Sequence, residues 1–262
     1  MKNSTYGWLV MVCLCLMACQ PEKWLGDGQD EIKEDFERLS SLDELLEETS
    51  PQWSFFQQKP EQNSLRLIDS FAHTGQKCLE LKALAGGSPA ANFDVSKNDL
   101  ANNDLALFAG ETVEIVAWYY LVGEEPADFL FLLDLEESVP VGAGPGIRLA
   151  LDEHQALWIE RNKMLEPSLR QPEVIRIPFP RNEWVEVRFR VFLSQKKKGS
   201  MKLWQNEVLL FDVEGVQTLP KDEWVYIQGT KGMMQSLQVG ITANTDMGAV
   251  VLYIDDISLK VE

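Results

Sequence analysis

The fold is decided by the stretch NEWVEVRFRVFLSQKKKGSMKLWQNEVLLF, residues 182–211. Its first half alternates apolar side chains, such as Val185 and Val187, with charged ones, such as Glu186 and Arg188. A period of two is typical of a β-strand that has one face on a core and the other toward solvent. The polar run QKKKGS then predicts a hairpin turn, and Asn206 followed by Glu207 predicts another turn. We therefore expect consecutive antiparallel strands here.

The same β pattern continues from Trp53 to the C-terminus. Short apolar segments such as TVEIVAWYYL (112–121), DFLFLLDLE (128–136) and SLQVGITAN (236–244) are separated by turn residues, and no long helical pattern interrupts them. About a dozen such segments in one chain are typical of two packed antiparallel sheets. The sequence predicts an all-β, two-sheet sandwich over residues 53–262.

This arrangement resembles the concanavalin A-like jelly roll of laminin G-like modules, legume lectins and heparin lyase I-like polysaccharide lyases. The resemblance lies in residues 182–211, in PGIRLALDEHQALWIERNK (145–163) and in LQVGITANTDMGAVVLYIDDISL (237–259). It implies the jelly-roll architecture but no single activity, because one fold hosts many functions. In lyases of this fold, His, Tyr or Lys supplies the base and the acid, and Gln or Arg lies near the substrate carboxylate.

The N-terminus predicts export and lipid anchoring. Lys2 precedes an apolar run from Trp8 to Ala18, which is typical of a secretory signal over residues 1–18 and is short for a membrane span. The segment LMAC (16–19) resembles the lipobox of bacterial lipoproteins, in which the cysteine, here Cys19, receives the lipid. We expect a lipoprotein of the bacterial cell envelope, held at the outer membrane on its periplasmic or surface side. An ordinary signal peptide that contains a cysteine is the alternative.

Residues 19–52 differ from the rest of the chain because they are strongly acidic. Apolar residues such as Ile32, Phe36 and Leu39 recur at steps of three and four between residues 30 and 48, which predicts an amphipathic helix or two short ones. We interpret this segment as an acidic tether whose apolar side packs on the domain or on a partner. A solvated linker is the alternative.

Charge and cysteine content exclude some classes of function. The net charge of −17 at pH 7 makes nucleic acid an unlikely partner. Once the signal is removed and Cys19 carries lipid, Cys78 is the remaining thiol, so no internal disulfide is expected. Cys78 lies in an apolar strand-like segment, and no basic or His-rich run that would activate it adjoins that segment, which predicts a buried, inert thiol.

Aromatic and cationic side chains on the predicted strands suggest glycan binding, since Trp and Tyr stack on sugar rings and Arg binds carboxylates. The candidates are Trp118, Tyr120, Arg148, Trp158, Glu160, Arg161, Lys163, Arg188 and Arg190. Core packing and a solvated sheet face with cross-strand ion pairs are the structural alternatives.

The first hypothesis is a non-catalytic, polysaccharide-binding envelope module that needs no cofactor. The second is a polysaccharide lyase-like enzyme acting on uronate or sulfated glycans, with Arg161, Lys163, Arg188 and Tyr253 at its site. The third is structural assembly with an envelope protein.

The last strand, VVLYIDDISLKV (250–261), contains two adjacent aspartates. The apolar parity changes at Asp255 and Asp256, which predicts a β-bulge. Adjacent strand residues point to opposite faces, so the two carboxyl groups are not expected to act as a catalytic pair. Sugar-associated jelly rolls that end in this way often bind a structural calcium, so the resemblance implies calcium at Asp255 and Asp256. Calcium would require several further oxygen ligands.

Overall fold

The computed structural model describes residues 31–46, 52–86, 95–139, 142–220, 233–245 and 248–262. These residues form an all-β structure with three short 3-10 turns, at Asp43–Leu46, Asn162–Met164 and Glu173–Ile175. Its strands are β1 (Glu31–Glu34), β2 (Phe55–Lys59), β3 (Ser64–Ile68), β4 (Cys78–Ala83), β5 (Ser96–Asn102), β6 (Leu107–Phe108), β7 (Thr112–Leu121), β8 (Leu130–Val139), β9 (Gly142–Leu151), β10 (Leu157–Glu160), β11 (Trp184–Phe192), β12 (Gly199–Gln205), β13 (Val208–Val216), β14 (Met233–Met234), β15 (Ser236–Asn244) and β16 (Val250–Val261). Within the described ranges, no helix is long and apolar enough to cross a membrane.

Two antiparallel sheets form the sandwich. The first has eight strands in the order β13-β12-β11-β7-β16-β4-β3, and β1 also pairs with β16. The second has six strands in the order β10-β9-β8-β15-β5-β2, while β14 and β6 form a separate pair. The core lies between the sheets and includes fully buried residues of both, such as Phe189 on β11 and Leu135 on β8. The predicted two-sheet sandwich is confirmed.

The stretch at residues 182–211 folds as its alternation predicts. Val185, Val187 and Phe189 are buried, whereas Glu186 and Arg188 lie on the outer face of the first sheet. β11, β12 and β13 are consecutive antiparallel neighbours. Asn206 makes the second turn, with a φ of 54°, and its side-chain oxygen accepts a hydrogen bond from the Glu186 amide.

The helix predicted between residues 30 and 48 is wrong for residues 31–34, and the helical structure in the described part of that segment is the short 3-10 turn Asp43–Leu46. Residues 31–34 form β1 instead, and Ile32 pairs with Leu259 of β16. The apolar residues do pack on the domain, since Ile32, Phe36, Leu39 and Leu45 are fully buried. The tertiary contact overrides the local helical period because the edge of β16 offers unpaired backbone groups that a strand can satisfy. The sandwich therefore includes residue 31 and does not begin at residue 53.

The β-bulge predicted in the last strand is confirmed. Trp118 of β7 lies opposite Asp255, but Val116 lies opposite Ser258, so one extra residue is accommodated between them. Asp256 takes a positive φ of 45° at this point. The bulge allows Ile254 and Ile257 to face the core although they are three residues apart.

The carboxylates at the bulge hold the loop at residues 69–77 against the first sheet. Asp255 Oδ2 accepts a hydrogen bond from the His73 amide at 2.8 Å. Asp256 Oδ2 lies 2.6 Å from His73 Nδ1, and both of its carboxylate oxygens lie 2.9 Å from the Thr74 hydroxyl. Cys78 is buried at the end of this loop, where its thiol donates to the Phe71 carbonyl, and burial raises the pKa of the thiol to about 12. The prediction that Cys78 is buried is confirmed, and its raised pKa disfavours the reactive thiolate.

Aromatic rings of the same loop cover the outer face of the first sheet. Phe71 contacts Tyr120 and Tyr253 at ring distances of 4.9 Å and stacks on Trp184 at 5.4 Å. The His73 ring stacks on Trp118 at 3.5 Å. These contacts form a small apolar cluster outside the main core, which stabilises the loop by burying aromatic surface.

We expect Ile32→Ala to lower the free energy of unfolding by about 2–5 kcal/mol, because it leaves a cavity under β1. Chemical denaturation measures this change. Lys33→Ala is the matched control, since the Lys33 side chain is 77% exposed. If the two variants were equally stable, residues 31–34 would not contribute to the core.

We expect Asp255 to make stability depend on pH. Burial raises the pKa of Asp255 from 3.8 to about 6, although hydrogen bonds from His73 and Asp256 oppose this rise. The folded state therefore holds the proton more tightly than the unfolded state. Protonated Asp255 therefore adds to the free energy of unfolding. This added stability is complete below about pH 4, is lost as the pH rises through about 6, and is at most about 3 kcal/mol.

Urea denaturation of the wild type and of Asp255→Asn across this pH range measures the effect. The variant retains His73 and Asp256, so the difference in slope isolates Asp255. Parallel stability curves for the two proteins would contradict the assignment.

Candidate functional site

The second sheet has one face on the core and a second, polar face that is also buried. On β8, Leu133 and Leu135 join the core, while Asp134 and Glu136 point to the opposite side. Directly paired residues of antiparallel strands share a face, so the register extends this face across the sheet. We call it the polar face. Its members are Trp158 and Glu160 on β10, Arg148 and Ala150 on β9, Asp134 and Glu136 on β8, Ser236, Gln238 and Thr242 on β15, Asp99 and Ala101 on β5, and Gln57 on β2.

Arg148 is held in one position near the middle of the polar face. Its Nε donates to Asp134 Oδ2 at 3.0 Å, and Asp134 Oδ1 accepts a hydrogen bond from the Thr242 hydroxyl at 2.8 Å. The guanidinium lies 3.8 Å from the centre of the Phe131 ring and 4.0 Å from a Glu160 oxygen. Burial lowers the pKa of Arg148, but the neighbouring carboxylates, first of all Asp134, outweigh it and raise that pKa. The site therefore contains a permanently charged, oriented guanidinium.

Lys163 brings a second cation to the same face. It lies in the 3-10 turn Asn162–Met164 that follows β10, and its ammonium group donates to Glu136 Oε1. Its side chain is 32% exposed, whereas that of Glu136 is 1% exposed. Burial, followed by the charge of Asp134, raises the pKa of Glu136, although Lys163 opposes this rise. An accessible amine thus contacts a carboxyl group that holds a proton more readily than usual.

Asp99 lies on the other side of β15 from these groups. It is fully buried, and neither carboxylate oxygen has a hydrogen-bond partner in the described part of the chain. Burial raises the pKa of Asp99 well above its ordinary value, although Lys97 lowers it. The residue opposite is Gly240, whose φ is +129° and where a Cβ would lie 2.6 Å from a Leu81 methyl group, so the position requires glycine.

One end of the polar face is apolar. Trp158, Phe131, Ala150 and Ala243 form a buried cluster there. The Arg170 guanidinium lies 4.5 Å from the centre of the Trp158 ring. Aromatic and cationic groups therefore lie side by side at this end and form cation–π contacts.

The structure divides the predicted glycan-binding residues between two sheets. Arg148, Trp158, Glu160 and Lys163 come together at the polar face. Arg161 follows them in sequence but is only 2% exposed, and it donates to the carbonyls of Pro167 and Gln217. Arg161 therefore braces the loop after β10 rather than pointing along the polar face.

The remaining four candidates, Trp118, Tyr120, Arg188 and Arg190, lie on the outer face of the first sheet. Trp118 and Tyr120 belong to the aromatic cluster under the loop at residues 69–77. Arg190 pairs with Glu114 and Glu262, and Arg188 lies 4.7 Å from the centre of the Trp204 ring. These contacts match the alternative of a sheet face with cross-strand pairs, and they place Arg188 and Tyr253 away from Lys163, on the other sheet.

Sequence reasoning missed several members of the polar face: Asp99, Asp134, Glu136, Gln238 and Thr242. A signal was present, because Asp134 and Glu136 alternate with leucines in FLLDLEE. The pattern of one strand does not show whether its polar positions face solvent or form a second buried face. Gln238 and Thr242 alternate in the same way with Val239 and Ile241.

The surroundings of Asp255 and Asp256 do not fit a calcium ion. Their oxygens already accept hydrogen bonds from His73, Thr74 and the Asp256 amide, and such donors exclude a cation from the same positions. Glu80, a potential further ligand, is held by Arg66 and by the Tyr253 hydroxyl. Among the described residues, no group of three or more His, Cys, Asp or Glu side chains is placed to hold a metal. Calcium remains an untested prediction, which a melting curve recorded with a chelator would decide.

Of the residue types that the resemblance implies for proton transfer, the described part of the polar face contains lysine. The described histidines lie elsewhere, His73 in the loop against the first sheet and His154 in an exposed turn. Of the described tyrosines, Tyr119 is in the core, and Tyr120 and Tyr253 are on the first sheet. Of the three residue types implied by the resemblance to lyases, lysine is therefore the one found here, as Lys163 and, toward β2, as Lys97, whose ammonium group donates to Gln57 Oε1.

Comparison with solved structures gives the same architecture. The endo-β-1,4-glucuronan lyase of Trichoderma reesei has a TM-score of 0.64 at 12% identity, over 87% of this chain and 94% of that one. The cellulose-induced protein Cip1 has a TM-score of 0.57 at 15% identity, over 87% and 96% of the two chains. The alginate lyase Aly36B has a TM-score of 0.54 at 7% identity, over 89% and 97%. At these identities, the likeness concerns the fold.

The sequence itself carries the family relationship. No curated protein matches it significantly. A family model for polysaccharide lyases matches residues 51–258, which include most strands of both sheets and all the residues of the polar face. This protein therefore belongs to the polysaccharide lyase family.

Proposed function

We propose that this protein is a polysaccharide lyase that cleaves uronate-containing glycans by β-elimination at the polar face. The observation that carries the proposal is the pair of oriented cations, Arg148 and Lys163, each in contact with a buried carboxyl group. Family membership supports lyase chemistry, and the pair supplies the charges that this chemistry needs. The non-catalytic interpretation favoured by the sequence becomes the second candidate.

Arg148 is placed to bind the uronate carboxylate. Elimination removes the proton at C5, next to the carboxylate, and a cation at the carboxylate stabilises the negative charge that develops. Asp134 uses only Nε of Arg148, and the terminal nitrogens donate none of the hydrogen bonds found in the described part of the chain. Those nitrogens can form the paired contact with a carboxylate that is typical of arginine.

Lys163 is placed to transfer protons. A lysine must be a neutral amine to accept the C5 proton, and Glu136 can accept the proton that the ammonium group gives up, since the pKa of Glu136 is raised. After the amine has taken the C5 proton, the resulting ammonium group can donate a proton to the departing glycosidic oxygen. One residue thus serves as base and then as acid, while the bond between C4 and its oxygen breaks.

The raised pKa values also make the polar face less repulsive to a polyanion. Asp99 and Glu136 hold protons more readily than ordinary carboxyl groups because they are buried. When Asp99 is neutral, its charge no longer opposes that of a bound uronate. Lys97 and Arg170 add positive charge near the two ends of the face.

A non-catalytic glycan-binding role is the second candidate. It is favoured by the placement of every described histidine and tyrosine away from the polar face. Under this alternative, Arg148 and Trp158 would still bind a polysaccharide chain, but no product would form. Binding without turnover is the result that would replace the first proposal with the second.

We also propose attachment to the cell envelope through Cys19, which lies outside the described residues. The support is the sequence of residues 1–19 alone. Because β1 begins at Glu31, the segment that joins it to Cys19 spans at most about 40 Å. The sandwich would then lie close to the membrane, where it could meet an envelope protein partner. Mass spectrometry of the N-terminal peptide tests for the lipid.

We expect Lys163→Ala to reduce kcat by about 100-fold or more, because the proton-transfer group is lost. The assay follows the ultraviolet absorbance of the unsaturated uronate product from a panel of uronate polysaccharides, with protein that lacks residues 1–19. Lys202→Ala is the matched control, since Lys202 lies on the first sheet and pairs with Asp212. Unchanged turnover in Lys163→Ala would refute the role of Lys163.

We expect Thr242→Val to reduce kcat/KM by about tenfold, mainly through KM, because Asp134 loses a hydrogen bond and holds Arg148 less firmly. Thr242→Ser keeps the hydroxyl group and should restore most of the activity. The same loss in the valine and serine variants would show that packing, and not the hydrogen bond to Asp134, explains the effect.

A further inference from the structure

The polar face contains more hydrogen-bond acceptors than its own donors satisfy. Five of its residues have buried side-chain oxygens that find no hydrogen-bond partner in the described part of the chain: both oxygens of Asp99, Oε2 of Glu136, Oε2 of Glu160, Oε1 of Gln238 and Oγ of Ser236. A buried polar atom without a partner is costly, so such atoms are rare in stable proteins. Their concentration on one face of one sheet indicates a surface that is completed by a ligand.

Unsatisfied donors on the same face are few. Among the described residues of the polar face, Nε1 of Trp158 is the one buried side-chain nitrogen without a partner. The terminal nitrogens of Arg148 and the ammonium group of Lys163 are partly exposed and serve the carboxylate in the proposed function. The Ser236 hydroxyl can also donate, but the acceptor oxygens without a partner outnumber these donors, so the remaining requirement is mainly for a ligand that donates hydrogen bonds.

Ring hydroxyl groups meet this requirement, and sulfate esters do not. A hydroxyl group donates one hydrogen bond and carries no charge. A sulfate ester has only acceptor oxygens and a negative charge, so it would place an anion near the carboxylates of Asp134 and Glu160 and would donate no hydrogen bond to the oxygens that lack a partner. The polar face thus distinguishes the two substituents by both hydrogen bonding and charge.

We propose that the polar face selects unsulfated uronate polysaccharides, whose free ring hydroxyl groups donate to Asp99, Gln238, Glu136 and Glu160, and that it rejects O-sulfated chains. This inference rests on the proposed function, because it names the substrate class of the same site. It narrows that function, since the sequence alone left uronate and sulfated glycans equally open.

The positions of the acceptors fit an extended chain that crosses the sheet. Glu160 lies on the edge strand β10, Glu136 on β8, Gln238 on β15 and Asp99 on β5. Neighbouring strands are about 4.8 Å apart, so the path from β10 to β5 is about 19 Å long. Several sugar residues can therefore contact the face at once, with Arg148 and Lys163 between the acceptors.

Calorimetric titration with two ligands of the same backbone tests the proposal. The ligands are short glucuronan oligosaccharides and the same oligosaccharides after chemical O-sulfation, and the protein lacks residues 1–19. We expect the unsulfated ligand to bind at least about tenfold more tightly. Equal or tighter binding of the sulfated ligand would overturn the proposal, and so would failure of both ligands to bind.

Two variants test whether the acceptor oxygens of Asp99 and Gln238 cause the preference for the unsulfated ligand. Asp99→Ala and Gln238→Ala should each weaken binding of the unsulfated ligand by about fivefold to tenfold and reduce the preference over the sulfated one. Neither variant removes a side-chain hydrogen bond found in the described part of the chain, so the melting temperature should not fall greatly. Lys202→Ala on the first sheet is the control and should keep both affinities. Full affinity and full selectivity in both variants would contradict the proposal.

The binding titration tests the selectivity, and the turnover assay tests the lyase proposal, so the two can fail independently. Selective binding without any unsaturated product would refute the lyase proposal and leave the inferred selectivity intact. Cleavage of glucuronan together with equal binding of the sulfated ligand would support the lyase proposal and refute the inferred selectivity.

Discussion

The site depends on one constraint, the alternation of side chains along residues 133–136 of β8 and 146–149 of β9, where the pairing of the two strands is regular. When the leucines of β8 face the core, Asp134 and Glu136 must face the other way. Because directly opposed residues share a face, Arg148 must then lie beside Asp134. A shift of one residue in the register of β8 would turn Asp134 and Glu136 into the core, where burying two carboxylates without partners is very costly. The register that buries the leucines in the core is therefore the same register that places the charged groups together on the polar face.

The charged groups of the polar face are stable because each cation has a buried partner. Arg148 is held by Asp134, which Thr242 holds in turn, and Lys163 contacts Glu136. Such pairs cost desolvation free energy, so they are poor devices for stability alone. They are well suited to orientation, because two or three contacts fix the guanidinium before a substrate arrives. The oxygens of the polar face that lack a hydrogen-bond partner are oriented in the same way before binding, and a ligand can satisfy them.

The first sheet shows how similar residue types serve structure instead. Its outer face also carries tryptophan, tyrosine, arginine and glutamate, but most of these side chains contact one another, and the buried atoms left without a hydrogen-bond partner there are two donor nitrogens, Nε1 of Trp184 and Nε of Arg188. His73 and Phe71 cover Trp118 and Tyr120, and the bulge at Asp255 and Asp256 holds the loop that bears them. The distinction between the two faces lies in which polar atoms remain without partners, and residue type alone does not reveal it.

By itself, the sequence determined the two-sheet sandwich, the exposed and buried sides of β11 and the bulge at residues 255 and 256. Each of these follows from a local period of two or from a break in that period. Only the tertiary structure decided that residues 31–34 form a strand, because the edge of β16 with which they pair is more than 200 residues away in the chain. It also decided that Lys163 and Arg148 share a site with Asp99 and Gln238, while Arg161 and Arg188 do not. Strand order and register bring those side chains together, and a local pattern carries no information about which distant strand will lie alongside.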